Sequence, residues 1–214
     1  MGLLESVQSA DAPLVGTNNA PRPLVVFLHG YGSHEHDLAG LAPYLPTGMP
    51  WVSVRAPQRH PFTGYAWYPL DGDKFAPVPE VEEATHTLWE WIDATITPEA
   101  PLIPVGFSQG GFMASQLLRT RPERVPAAAL LAGYVHDHPQ AGDDTLAQTR
   151  PRVFWGKGTQ DFVVPERAIA HASAWLPQHT TLSFHEYPGM GHSVNEEELH
   201  HLRQFLTEVT PANG

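Results

Sequence analysis

Apolar positions along the chain fall into short unbroken runs separated by longer stretches with helical spacing. The apolar runs Leu24–Leu28, Leu102–Phe107, Ala127–Leu131 and 152–155 predict strands, and so do the more mixed stretches 51–55 and Thr181–Tyr187. Ala127–Leu131 does not alternate with polar residues, which predicts burial on both faces, as in a parallel sheet. Between the runs, apolar residues three and four apart predict helices over 38–45 (capped by Asp37), 81–96, 112–119, 165–175 and 194–206. Strands alternating with helices predict one α/β domain with a mostly parallel, doubly wound sheet over residues 23–208. Residues 1–22 are polar and rich in Pro and Gly and are expected to form a loose leader, with 209–214 as a tail. The stretch 136–150 reads as polar loop with at most one helical turn.

One junction has chemical content. The run Leu102–Phe107 ends in Gly106-Phe107-Ser108-Gln109-Gly110-Gly111, and helical spacing resumes at once. A Gly-x-Ser-x-Gly between strand and helix is the nucleophile elbow of an α/β-hydrolase. The turn is tight enough to strain the serine backbone and to demand glycine on either side, and it lifts the hydroxyl clear of the sheet. The free N–H groups of the new helix, starting at Gln109, then face whatever oxygen becomes negative beside that hydroxyl. The pattern alone arises by accident on the order of one time in ten in a chain this long, so the remaining residues must supply a base, an acid and a second donor.

Composition narrows the choices. A chain of 214 residues, 42% hydrophobic, buries a full core. The formal charge of −11 argues against nucleic acid or anionic membrane as a partner. Cysteine is absent, which excludes disulfides, thiolate metal sites and a cysteine nucleophile. No run reaches transmembrane length, and the start lacks the pattern of a signal peptide, so a cytoplasmic protein is expected. Met1-Gly2 and Ser6 fit the bare myristoylation pattern, but one acyl chain without a basic patch anchors poorly, and stable membrane anchoring is not expected.

Acyl transfer at serine needs a base and a carboxylate to orient it, and the elbow fold supplies them in the order Ser, Asp or Glu, His. Ser108, Asp161 and His192 keep that order, each just after an apolar run, which places all three on the carboxyl edge of the sheet. There are 13 histidines, so the base is chosen by position. His171, His179, His200 and His201 read as solvated helix residues, and His185 lies within a strand. Asp143 and Asp144, after the preceding strand, are the rival acids to Asp161. The loop His29-Gly30-Tyr31 after the first run is where this fold draws its second oxyanion donor, so the N–H of Tyr31 is paired with that of Gln109. His29 itself reads as structural. His34-Glu35-His36-Asp37 matches no zinc spacing and reads as polar loop, and no metal is expected. The aromatic, proline-rich stretch 57–79 is too long for a plain connection. Tyr65, Trp67 and Tyr68 are expected to wall an apolar substrate groove there, the alternative being that they pack the loop onto the core.

These stretches, with Arg55-Ala56-Pro57, Trp67-Tyr68, Gly158-Thr159-Gln160-Asp161, Val164-Pro165, Gly191-His192 and Glu197-Glu198-Leu199, resemble the phospholipase/carboxylesterase family of small serine hydrolases. The resemblance spans residues 24–206 and implies an α/β-hydrolase without a lid domain. It implies the triad Ser108, Asp161, His192, donors at Tyr31 and Gln109, and no metal or cofactor. Lys157 departs from the family, where many members have histidine. The expected activity is hydrolysis of small to medium carboxylic esters through an acyl-serine, by a monomer or homodimer acting on a small-molecule ester. A thioesterase or lysophospholipase with the same triad is the alternative, and a non-catalytic binding module of this fold is the remaining one.

Overall fold

The apolar runs all become strands in the computed structural model, which describes residues 4–70 and 78–210. In chain order the elements are β1 Ser6–Gln8, β2 Leu24–Leu28, α1 Glu35–Ala39, β3 Trp51–Val54, β4 Gln58–Arg59, β5 Tyr65–Ala66 and α2 Val78–Thr95. They continue with β6 Leu102–Phe107, α3 Gln109–Thr120, β7 Ala127–Leu131, α4 Asp143–Thr149, β8 Arg152–Gly158, α5 Glu166–His179, β9 Thr181–Tyr187 and α6 Glu196–Val209. Among the described residues the main sheet has seven strands in the order β1-β3-β2-β6-β7-β8-β9. Only β1 is antiparallel to its neighbour.

Each central strand contributes to two cores because successive side chains point to opposite faces. On β2, Leu24, Val26 and Leu28 join the face covered by α2 to α5, whereas Val25 and Phe27 join the face covered by α1 and α6. The central strands β2, β6 and β7 are therefore buried on both faces, as the unbroken run Ala127–Leu131 predicts, whereas the edge strands β1 and β9 are partly exposed. The strands run parallel from β3 to β9, so the loops after β2, β6, β8 and β9 all leave from one edge. That shared edge carries His29 to Tyr31, Ser108, Asp161 and His192.

Three expectations are corrected. The leader is not loose over its described part: Val7 pairs with Ser53, Ala12 is buried, and Leu14 bridges to Ile96. Helix 38–45 is instead the short α1, capped by His34 through Nδ1, with Asp37 accepting from the Ser33 hydroxyl at 2.5 Å. The 136–150 loop contains α4, whose mostly polar face gives no apolar period and which buries Leu146 alone. Residues 71–77 of the 57–79 stretch, Gly2 of the acylation pattern and 211–214 of the tail lie outside the described residues.

Candidate active site

The elbow has the expected strain. Ser108 lies at φ 55°, ψ −115°, a conformation an L-residue holds only when its surroundings enforce it. Here the Ser108 N–H is held by the Leu131 carbonyl at 2.9 Å, and the Ser108 carbonyl accepts the N–H of Phe112 at 3.0 Å, starting α3. The flanking glycines are required by backbone contact rather than by each other's side chains. A Cβ at Gly106 would stand 2.0 Å from the Gly110 carbonyl oxygen, and one at Gly110 would stand 1.8 Å from that of Leu28.

From the far side two loops meet the hydroxyl. His192 Nε2 lies 2.8 Å from Ser108 Oγ, and His192 Nδ1 lies 2.7 Å from Asp161 Oδ2. The other Asp161 oxygen accepts the N–H groups of Val163 at 2.9 Å and Val164 at 3.3 Å, which fixes the carboxylate against rotation. The loops are stitched by Gln160 N–H to the Met190 carbonyl at 2.9 Å and Gly189 N–H to the Thr159 hydroxyl at 2.9 Å. Phe107 packs on the His192 ring with centroids 4.9 Å apart. Asp143 is elsewhere: its carboxylate takes both Nε and Nη2 of the buried Arg119 at 2.8 and 2.7 Å.

Gln109 opens α3, so its N–H has no carbonyl a turn earlier to bond. Its side chain has a partner at each end, which the sequence does not signal. Oε1 accepts from Trp67 N–H at 2.9 Å, and Nε2 donates to the Tyr68 carbonyl at 2.8 Å. His29 is structural. Its Nδ1 pairs with the Gly30 carbonyl at 2.8 Å, and its Nε2 accepts from Ala56 N–H at 3.0 Å, a pattern that suits the neutral ring. Burial pushes its pKa below the usual value in the same direction.

The expected groove wall is corrected. Trp67 and Tyr68 are 0% exposed. The Tyr68 hydroxyl meets that of Tyr134 at 3.3 Å, and Tyr65 lies under the Arg55 guanidinium at 4.6 Å. Aromatic rings with polar tips are buried where those tips find partners, and here the core offers them. The exposed aromatics near these loops are Tyr31, Phe62 and Phe162, the last two 92% and 86% exposed. Two other readings also change. His201 stacks on His185 with centroids 4.4 Å apart, and His179 stacks on Trp175 at 4.0 Å, so neither is simply solvated. In the 34–37 stretch Glu35 is buried against Arg55 at 2.6 and 2.5 Å, and the guanidinium holds its carboxyl down at about 2. Among the described residues no three His, Asp or Glu side chains gather as metal ligands would.

A parallel sheet with this strained serine, met by a histidine and an aspartate from later loops, defines a serine hydrolase of the α/β-hydrolase class. The profile of the phospholipase/carboxylesterase family matches residues 10–210, and the chain belongs to that family. Acyl-protein thioesterase 1 of Cryptococcus neoformans var. neoformans serotype D is 27% identical over 229 aligned residues, covering 91% of this chain and 95% of that protein. Esterase PE8 superposes with a TM-score of 0.77 at 26% identity, covering 97% of this chain and all of the other. The Bacillus cereus carboxylesterase shares the fold, with a TM-score of 0.79 at 18% identity over 96% of this chain and 94% of its own.

Proposed function

We propose that the protein hydrolyses small to medium carboxylic esters through an acyl-Ser108 intermediate. The continuous hydrogen-bond path from Ser108 Oγ through the His192 ring to Asp161 carries this reading. His192 Nε2 takes the hydroxyl proton as Oγ attacks the ester carbonyl, and the same ring then returns it to the departing alkoxide. Asp161 holds the ring with Nδ1 protonated and balances the imidazolium that forms. The N–H groups of Tyr31 and Gln109 receive the developing oxyanion. Water, deprotonated by His192, attacks the acyl-Ser108 carbonyl and releases the acid. The triad supplies base, acid and electrostatic stabilisation, so the scheme calls for no metal or cofactor.

The reading takes the substrate to be a neutral small ester, since the formal charge of −11 disfavours strongly acidic ones. No helix among the described residues is long and apolar enough to cross a membrane, and the cytoplasm is the proposed compartment. A thioesterase is the second reading, favoured by the named thioesterase among the relatives. A panel of p-nitrophenyl esters of increasing chain length, run beside acyl-CoA thioesters, separates the two. Turnover of esters at rates well above those of the thioesters supports the first, and the reverse order replaces it. Failure of a fluorophosphonate to label Ser108 would reject both in favour of a binding module.

A further inference from the structure

The segment expected to face substrate lies behind the site and joins its two halves. The Tyr65 backbone bonds Gly32 N–H at 2.8 Å and the Ser33 carbonyl at 2.7 Å. The Trp67 indole N–H donates to the His29 carbonyl at 2.9 Å. Two bonds then run the other way, from Trp67 N–H to Gln109 Oε1 and from Gln109 Nε2 to the Tyr68 carbonyl. Three of the four residues 65–68, Tyr65, Trp67 and Tyr68, therefore grip the 29–33 loop, which carries the Tyr31 N–H, and the Gln109 side chain, whose own N–H is the other donor.

We propose that residues 65–68 are a brace that sets the spacing of the two oxyanion donors, with Trp67 as its positioning residue. The inference rests on the acyl-Ser108 reading. The strands below the two donors are hydrogen-bonded neighbours, Leu28 pairing with Gly106, but both donors lie beyond the last paired residues. Sheet register alone leaves the loop spacing open. Donors stabilise a developing oxyanion only if they are in place before the charge appears. Trp67, at 0% exposure, and Gln109, at 2%, make their bonds away from competing water, so a lost partner leaves a buried group unpaired and the loop free to shift. The His29 ring adds a second anchor to the same loop through Ala56 N–H.

Trp67→Phe keeps an aromatic ring and removes the indole donor. Gln109→Met keeps the backbone N–H and removes the amide. Removing an oxyanion donor outright costs about 100- to 1000-fold in kcat, so letting one drift is expected to cost about tenfold. Each variant should lose about tenfold in kcat with KM changed less than about twofold. Affinity for an alkyl boronic acid that adds to Ser108 as a tetrahedral adduct should fall by the same factor. The double variant should be little worse than the poorer single one, since both release the same pair of donors. Thermal unfolding identifies a variant that fails to fold, in which case the other carries the test. The brace is overturned if a folded variant keeps wild-type kcat and boronate affinity, or if KM alone rises, as for a groove wall. Labelling of the wild type at Ser108 by a fluorophosphonate keeps these outcomes apart from failure of the underlying reading, because an unlabelled wild type overturns both.

Discussion

The two sides of Ser108 are held by different means. On the β2 side the loop carrying Tyr31 has two backbone bonds to Tyr65 and is also fixed by side chains sealed in the core, the Trp67 indole and the His29 ring. On the β8 and β9 side Asp161 and His192 ride on loops joined mainly by backbone bonds, and Phe162 beside them stands in solvent. The difference fits the two tasks proposed for these groups. Groups that receive a developing charge gain by being immobile, whereas the imidazole serves two oxygens in turn, the serine hydroxyl and the leaving group. Placement on the β2 side draws on buried aromatics, and placement of the ring on the β8 and β9 side draws on turns, with Ser108, Asp161 and Phe107 holding the ring itself.

The largest test of this contrast is removal of the groups that react. Ser108→Ala and His192→Ala are each expected to lower kcat by about 10⁴- to 10⁶-fold while leaving thermal unfolding close to wild type. A substantial residual rate in the serine variant would move the nucleophile elsewhere. Asp161→Asn is expected to cost less, about 10²- to 10⁴-fold, because it spoils ring orientation while the other groups stay in place. Unchanged turnover would return the role to Asp143 or Asp144, against the position of Asp143 beneath Arg119.

A smaller effect concerns Glu198, in the first turn of α6, three residues after its Asn195 cap. Glu198 is 0% exposed, and neither carboxyl oxygen has a hydrogen-bond partner among the described residues. Its Oε1 occupies the space a side chain at Gly156 of β8 would need. A helix N-terminus favours a negative charge by at most about 2 kcal/mol, less than the several kcal/mol needed to bury an unpaired one. Burial accordingly raises its pKa to about 8. A carboxyl with a raised folded-state pKa binds its proton more tightly in the folded protein. Its stabilising contribution is complete below about 4.5 and declines by about 1.4 kcal/mol per pH unit as pH rises towards 8. Denaturant unfolding of wild type and Glu198→Gln at several pH values from 5 to 8.5 should show the variant gaining relative stability up to about pH 8 and holding level above it. Parallel curves would remove Glu198 from the account. The smallest effect is expected at Phe162, where Ser should change unfolding free energy by no more than about 0.5 kcal/mol.

The strands, and the meeting of Ser108, His192 and Asp161, were legible because each rests on a local signal, an apolar run or a motif at its end. What was illegible depends on partners far along the chain. The direction in which Trp67 and Tyr68 face is set by Gln109, His29 and Tyr134, between 38 and 66 residues away. A run of aromatics reads the same whether it walls a groove or props a loop. β1 was missed because Ser6-Val7-Gln8 is too short to show a period, and its pairing with β3 spans more than forty residues. Glu197 and Glu198 were visible as a motif, but only packing distinguishes the exposed one from the one sealed against Gly156.

That short β1 has a protective consequence. It covers the outer edge of β3, and Arg55 beyond it bonds the Glu5 carbonyl through its N–H at 2.8 Å and the Glu5 carboxylate through its side chain at 2.6 Å. Stripped of that strip, Trp51-Val52-Ser53-Val54 would present a bare row of amide donors and acceptors flanked by apolar side chains, an invitation for a second molecule to dock strand to strand. Proteolytic trimming ahead of Ser9 is thus expected to leave the proposed chemistry at Ser108 untouched while making the protein more prone to clump.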